Sequence, residues 1–328
     1  MKEKIIKSYK AFDSSLSCSG FQYELGKEYK MKGHIECGER GFNACESPLE
    51  VFDHYDMLKS RFAEVEQFGI IDRDENTTKV CSSRIRIKAE LKLADIINRG
   101  IQYLKDITLP SQVKTGTSLS DNGKRRKHIG SNCDYVWIGS NGLSAKIGSS
   151  GDYVHIGSSG DSAKIGSSGN FAQIGLSGDY SQIGSSGNLA QIGSSGDSVK
   201  IGSSGDSVEI GSSGNSAQIG SLGNFAQIGS SGNFAKIGSF GDFAQISSSG
   251  DYAKINSTGS DSVIMCAGCK AMAKAKIGSW ITLTEWVYSE GKGRYVPICV
   301  KTEYVDGENI KADTYYQLID GVFTEVNK

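Results

Sequence analysis

The chain is short of net charge, histidine, proline and long apolar runs, and each shortage closes off a class of function. Its 36 Lys+Arg nearly balance 37 Asp+Glu over 328 residues, so bulk charge points to neither nucleic acid nor an acidic membrane surface as a partner. No stretch approaches the ~20 apolar residues of a transmembrane helix. Met1-Lys2-Glu3-Lys4 leads into Ile5-Ile6-Lys7 without the ~7–15-residue apolar run of a secretory signal. The eight scattered cysteines then read as reduced thiols in a cytosol. The four histidines, His34, His54, His128 and His155, stand apart from any serine or cysteine nucleophile pattern. No phosphate loop is present and no GxGxxG opens a helix, so no cofactor is expected.

Three prolines stand against 42 glycines. Glycine mixed with serine can mark a flexible linker, and the isoleucines test that idea. From Ile129 through Ile138, Ile147 and onward to Ile255 and Ile264, one isoleucine falls every nine residues. A linker has no reason to hold a large apolar residue in register, so the repeat is structural.

The typical unit is Ile-Gly-Ser-Ser-Gly-Asp/Asn-x-Ala/Val-x, as in Ile165 to Gln173. Ala172 before Ile174 and Val199 before Ile201 lie two residues apart, which puts both on one face of a strand. The long polar residue between them (Lys164, Gln173, Lys200, Glu209 or Lys254) must then point outward. Ser-Ser-Gly-Asp/Asn supplies the corner, with glycine expected to take positive φ and Asp/Asn to bond nearby backbone. Nine residues at ~3.3 Å each are too few to enclose side chains, so two units are expected per coil. Sorting alternate units places Tyr135, Tyr153, Phe171, Leu189, Phe225 and Phe243 in one column, with Trp137 beside it. These seven are the candidate interface. The other column reads Ser144, Ser162, Tyr180, Ser198, Ser216, Phe234 and Tyr252.

The expected fold is mainly β: a central β-solenoid over 129–264, a small α+β module over 1–108, a basic polar linker over 109–128 and a β-rich cap over 265–328. In the first module Ser47-Pro48-Leu49-Glu50 reads as a capping box opening a helix that carries Leu49, Phe52, Tyr55 and Leu58. Strands are expected from Phe62 to Phe68 and from Lys79 to Lys88, then a helix from Glu90 to Lys105 with Pro110 as its stop. Lys124-Arg125-Arg126-Lys127-His128 is read as a solvated charge run. After Ser260 the nonapeptide decays. Strands follow from Trp280 to Val287, Tyr295 to Val305, Tyr315 to Leu318 and Phe323 to Val326, with hairpin-type turns at Asp306-Gly307 and Asp320-Gly321. The cap covers strand edges that would otherwise stay unpaired.

Two nonapeptides per coil are similar to the calcium-binding RTX β-roll. The paired glycines of that motif are missing, however, and its Asp is here often Asn, as at Asn170, Asn188 and Asn215. Interchange of Asp and Asn suits a hydrogen-bonded turn better than a calcium site. Cys266-Ala267-Gly268-Cys269 is a CxxC, but zinc needs two further ligands, so Cys266 and Cys269 are weak metal candidates and inward packing is favoured.

The N-terminal residues Lys10-Ala11-Phe12, Cys18-Ser19-Gly20-Phe21-Gln22-Tyr23-Glu24-Leu25-Gly26-Lys27, Cys37 and Gly41-Phe42-Asn43-Ala44-Cys45-Glu46-Ser47-Pro48-Leu49 resemble an uncharacterised family of phage and prophage proteins. Lys311-Ala312-Asp313-Thr314-Tyr315 looks like that family's C-terminal module. The resemblance implies a phage-encoded protein acting in the cytoplasm of an infected bacterium and carries no known activity. Asn43 stands where the family usually has His. Gly41 to Tyr55 with the strand around Val65 also faintly resembles the core of ADP-ribosyltransferases, but no catalytic glutamate can be placed.

The repeat region holds nine Asp and Glu209 against five Lys, a net of −5. A DNA mimic of this length would need on the order of twenty charges. Exposed aromatics suggest instead an interface with a protein or with a second copy. The leading expectation is a non-enzymatic binding protein that blocks or sequesters a host factor. The alternatives are a structural fibre, particle or adhesin-like protein, for which the Ala-x-Ile-Gly ladder resembles the head β-rolls of trimeric adhesins, and an ADP-ribosyltransferase-like enzyme. Expected partners are a host protein, self-association or both, without membrane or nucleic acid.

Overall fold

Alternation of small and branched apolar residues with polar ones decides the central architecture. In the computed structural model, which describes residues 5–75, 77–108, 118–120 and 127–326, each residue of a coil pairs with the residue eighteen positions on. Ile147 lies beside Ile165 and Ile165 beside Ile183 in one parallel sheet. Ile138 lies beside Ile156 and Ile156 beside Ile174 in the other. Two nonapeptides therefore make one coil, and the strands alternate between two sheets. We call them the lysine face, with Lys146, Lys164, Lys200, Lys236 and Lys254 outward, and the tryptophan face, with Trp137 and Trp280 outward.

The interior is made of stacked identical positions. The isoleucines and the Ala/Val positions are buried, and a third inward ladder, the first serine after each Ile-Gly, lies beside them. The hydroxyls of Ser167, Ser203 and Ser239 on one side and Ser194 and Ser230 on the other have no hydrogen-bond partner. Leu176, buried in the same slot, shows that the position accepts an apolar side chain.

Two expectations about the coil need correction. The solenoid runs over residues 118–283 in about 9 turns, further than 129–264 in both directions. Leu119, within the stretch read as linker, pairs with Ile138, Ala273 pairs with Ile255, and Ile281 with Ile264. The inward slot tolerates Leu and Ala, so a strict isoleucine count undershoots. The corner glycine also does not supply positive φ. That conformation belongs to the variable residue two places later, from Tyr135 (φ 57) to Tyr252 (φ 56). Glycine is needed because coils touch there: a Cβ on Gly205 would overlap the carbonyl of Gly187, and one on Gly223 that of Gly205. Beside each glycine, Asp or Asn offers Oδ1 to the backbone N–H one coil on, as Asp152 does to Asn170 at 2.7 Å and Asn170 to Asn188 at 2.9 Å. Either residue supplies that oxygen, which explains their interchange.

The tail closes the solenoid's end with antiparallel strands. Trp280–Ser289 pairs with Arg294–Tyr304, and Tyr316–Ile319 with Val322–Glu325. Asp320 (φ 50) and Gly321 (φ 70) form the hairpin turn between the latter two. Asp306-Gly307 is a loop instead: Asp306 Oδ1 accepts the N–H groups of Glu308, Asn309 and Ile310, and the strands on either side lie in different sheets. Val305, Ile310, Tyr316, Leu318 and Phe323 join the solenoid's core.

The chain divides into two compact units, Met1–Leu104 and Lys105–Lys328. In the first, Ile6–Phe12 pairs with Phe42–Cys45 and Arg61–Arg73, and Lys79–Leu91 pairs with both of those, so the four strands close on themselves. Gln67, fully buried, ties the ring: it accepts from Ser8 Oγ at 2.6 Å and donates to the carbonyls of Phe42 and Val80. Gly41 (φ 134) starts one strand where a Cβ would overlap the Cys81 sulfur. The expected capping box is absent. Leu49–Asp53 is a short 3-10 helix with no side-chain cap, and Glu50 instead takes the N–H and hydroxyl of Thr78, each at 2.7 Å. The long helix is Leu93–Ile107. Pro110 and Lys124 to Arg126 lie outside the described residues.

Candidate functional site

The variable slot of each unit carries the aromatic column, and the backbone holds it in an uncommon state. Tyr135, Tyr153, Phe171, Leu189, Phe225 and Phe243 all have φ between 55° and 58°, a left-handed conformation that bulky L-residues avoid at a cost of ~1–2 kcal/mol. They are nonetheless between 40% and 55% exposed. Tyr135 stacks on Tyr153 at 4.9 Å, Tyr153 on Phe171 at 4.6 Å and Phe225 on Phe243 at 5.1 Å. Leu189 and Ser207 stand between these two stacks. Stacking on neighbouring coils and exposure to solvent thus coexist.

Trp137 belongs to a different surface from Tyr135. It points out of the tryptophan face and stacks on His155 at 5.5 Å. Below it the outward column continues as Gln173, Gln191, Glu209, Gln227 and Gln245, and ends in Val263 and Trp280. Beside this column runs a stripe of glycine: Gly139, Gly157, Gly175, Gly193, Gly211 and Gly229. A Cβ on Gly157, Gly175, Gly193 or Gly211 would meet nothing within 4 Å. A shallow groove of about 1470 Å³ follows this column and stripe.

Cys266 and Cys269 are placed by the repeat. Cys266 fills the inward serine slot, fully buried, and burial pushes its thiol up to about 12. Cys269 occupies the Asp/Asn slot, where its N–H donates to Asp251 Oδ1 at 2.8 Å.

The sequence does not join Lys10, Cys18 and Tyr55 into one site, and the fold brings them together. Lys10, in the strand Ile6–Phe12, is 5% exposed and donates to the Asn43 carbonyl at 2.8 Å. Cys18 precedes a tight turn at Ser19 (φ 52) and Gly20 (φ 75), and its sulfur lies 2.9 Å from the Tyr55 hydroxyl. Burial lowers the Lys10 pKa. Burial opposes ionisation of Cys18, yet the Lys10 ammonium and the Tyr55 hydroxyl hold its thiol below the ordinary value. These groups line a cavity of about 560 Å³ with Phe21, Tyr23, Phe42, Asn43, Cys45 and His54. The available signal was the N-terminal motif, which supplies eleven of the eighteen residues that line this cavity.

Residues 6–99 match the model of a family described as a domain of unknown function (DUF7666). No curated protein and no solved structure matches the chain.

Proposed function

We propose that the protein is a non-enzymatic binding protein, encoded by a phage, that captures a host protein on the solenoid inside the infected cell. Blocking a component of antiviral defence is one service such capture would render. The observation that carries this reading is the exposed aromatic column held in left-handed backbone. Neither burial nor local conformational preference accounts for aromatic rings there, since serine fills the same left-handed slot in other units, and a column of exposed aromatics is the surface that interfaces use.

The adjoining surface supports the same reading. Glycine weakens a strand unless another backbone must approach closely, and the stripe on the tryptophan face is not demanded by the chain's own packing. Every lysine of the repeat projects from the opposite face. The tryptophan face carries Glu209, and the aromatic column is flanked by Asp134, Asp152, Asp206 and Asp242. A partner with an apolar centre and a basic rim fits this distribution.

The test is affinity capture from host lysate with the full chain and with a Phe225→Ser/Phe243→Ser variant of unchanged circular dichroism. A specific host protein retained by the parent and lost by the variant is expected, with retention weakening as salt rises. Capture unchanged in the variant would remove the aromatic column as the site.

Self-association is the second reading, favoured by the hairpin Trp280–Ser289/Arg294–Tyr304, on which Val287, Ile298 and Val300 are exposed. That reading, which a fibre or particle role also needs, requires an oligomer in light scattering.

A further inference from the structure

The N-terminal cavity holds chemistry that display on a solenoid leaves unused. A buried ammonium needs a counter-charge, and besides the Asn43 carbonyl Lys10 has the thiols of Cys18 and Cys45 lining the same cavity, both of which favour its charged form. The rings of Phe12 and Tyr23 lie 5.8 and 5.7 Å from its nitrogen. Burial and the neighbouring Cys18 raise the Tyr55 phenol, so Tyr55 keeps its proton, and its hydroxyl is placed to donate to the Cys18 sulfur 2.9 Å away. The other titratable groups around the cavity are Tyr9, Tyr23, His54 and Lys79. Cys18 is half-buried, and an accessible thiol beside a cation with a fixed hydroxyl donor is the environment of reactive cysteines. The cavity's volume, about 560 Å³, is in the range of small-molecule sites, and its aromatic walls suit an apolar ligand.

We propose that this cavity is a covalent capture site for a small acyl thioester or activated ester, with Cys18 as the nucleophile. The Cys18 sulfur bonds to the acyl carbon, and the bond from that carbon to the leaving sulfur or oxygen breaks. The leaving group departs with the proton of the Lys10 ammonium, which becomes a neutral amine, and the acyl group stays on Cys18 as a thioester. Tyr55 donates to the acyl oxygen while negative charge builds there. Two donors beside the sulfur favour an acyl carbon over a saturated one, because alkylation would use neither an oxygen acceptor nor a proton for the leaving group. The site lies in the first unit and is independent of the solenoid's role.

The probe is p-nitrophenyl acetate with the full chain at pH 7, read by p-nitrophenol release and by peptide mass mapping. A burst of one equivalent with the acetyl group on Cys18 is expected, absent in Cys18→Ser and intact in Cys299→Ser. Tyr55→Phe and Lys10→Met, each checked by circular dichroism, should slow the burst and move its pH midpoint upward. Each pH unit of that shift corresponds to about tenfold less thiolate at pH 7. Tyr55→Phe keeps the test sound if Lys10→Met fails to fold. Acetylation spread over surface thiols and lysines, or a Cys18 rate unchanged in Tyr55→Phe, would overturn the proposal. So would rapid labelling of Cys18 by iodoacetamide without acetylation, because it would show a reactive thiol that does not take acyl groups.

Discussion

Tyr153 and Phe171, eighteen residues apart, lie ring on ring at 4.6 Å with their planes inclined by only 1°. The contact follows from the coil length: equal backbone at equal height delivers equal side-chain direction. Each ring shields one face of the next and leaves its edge in water, so the stack lowers the cost of exposure without removing it.

Because the slot is left-handed whatever it holds, side chain and backbone effects separate there. Ser207 (φ 54) sits between Leu189 and Phe225 with no ring to lose. Ser207→Gly should stabilise the solenoid by ~0.5–1 kcal/mol, the relief of left-handed strain less glycine's chain entropy. A lowered unfolding midpoint in urea would show that the slot is not strained.

Much of the solenoid was legible because its signal is one-dimensional. A fixed nine-residue period, with Ala172 and Ile174 sharing a face, specifies the inward ladders and the two-unit coil without knowledge of distant residues. The roles within the corner were not legible. Gly205 and Ser207 are two residues apart, and sequence rules assign positive φ to the glycine. The close approach of Gly187's carbonyl, a contact between coils, reverses that assignment. The N-terminal cavity was hidden for a related reason: Lys10, Cys18 and Tyr55 sit on separate elements and meet only when the strands close into a ring. Tyr55 was also read onto a helix that ends at Asp53.

Glycines on the two kinds of position should respond in opposite ways. Gly205→Ala forces a methyl against the Gly187 carbonyl, and overpacking of a rigid stack costs ~1–3 kcal/mol or more, visible as a lower thermal midpoint. Gly193→Ala meets open space on the tryptophan face and should leave stability unchanged or raise it by up to ~1 kcal/mol. If a partner's backbone lies along the stripe, Gly193→Ala should also weaken host-protein capture. Unchanged capture in Gly193→Ala would confine the interface to the aromatic column.

The Asp/Asn ladder makes a separate prediction about charge. Asp206 Oδ1 accepts the N–H of Asn224 at 2.7 Å, while Asp206's own N–H is taken by Asn188 Oδ1 at 2.8 Å. Asp206→Asn keeps the acceptor and should be nearly neutral. Asp206→Ala leaves the exposed Asn224 N–H to water and should cost ~0.5–1.5 kcal/mol, the net worth of the lost hydrogen bond. Equal losses in both variants in urea titration would mean that the carboxylate's charge, rather than its oxygen, is what the turn needs.

Acid should act on the first unit through carboxylates held by strand arginines and lysines. Glu28 takes Arg84 at 2.7 Å and Arg86 at 3.0 Å, Glu66 takes Lys88 at 2.7 Å, and Glu90 takes Arg61 at 2.7 Å. Hydrogen bonds from Arg84, Lys88 and Arg61 respectively hold these three carboxyls below the usual glutamate range. In the unfolded chain each returns to a pKa of ~4.3. The folded form therefore binds fewer protons near that pH, and stability rises with pH across the window. The contribution is complete above the unfolded pKa and is lost as pH falls through the lower folded values. Thermal unfolding should be flat near neutrality and decline below about pH 5, by a modest amount because the pairs are partly solvated. Glu28→Gln removes one of these carboxyls and should decline less steeply than the parent between pH 5 and pH 3, although it starts lower at pH 7. A variant with the parent's slope would assign the acid sensitivity to groups other than this network.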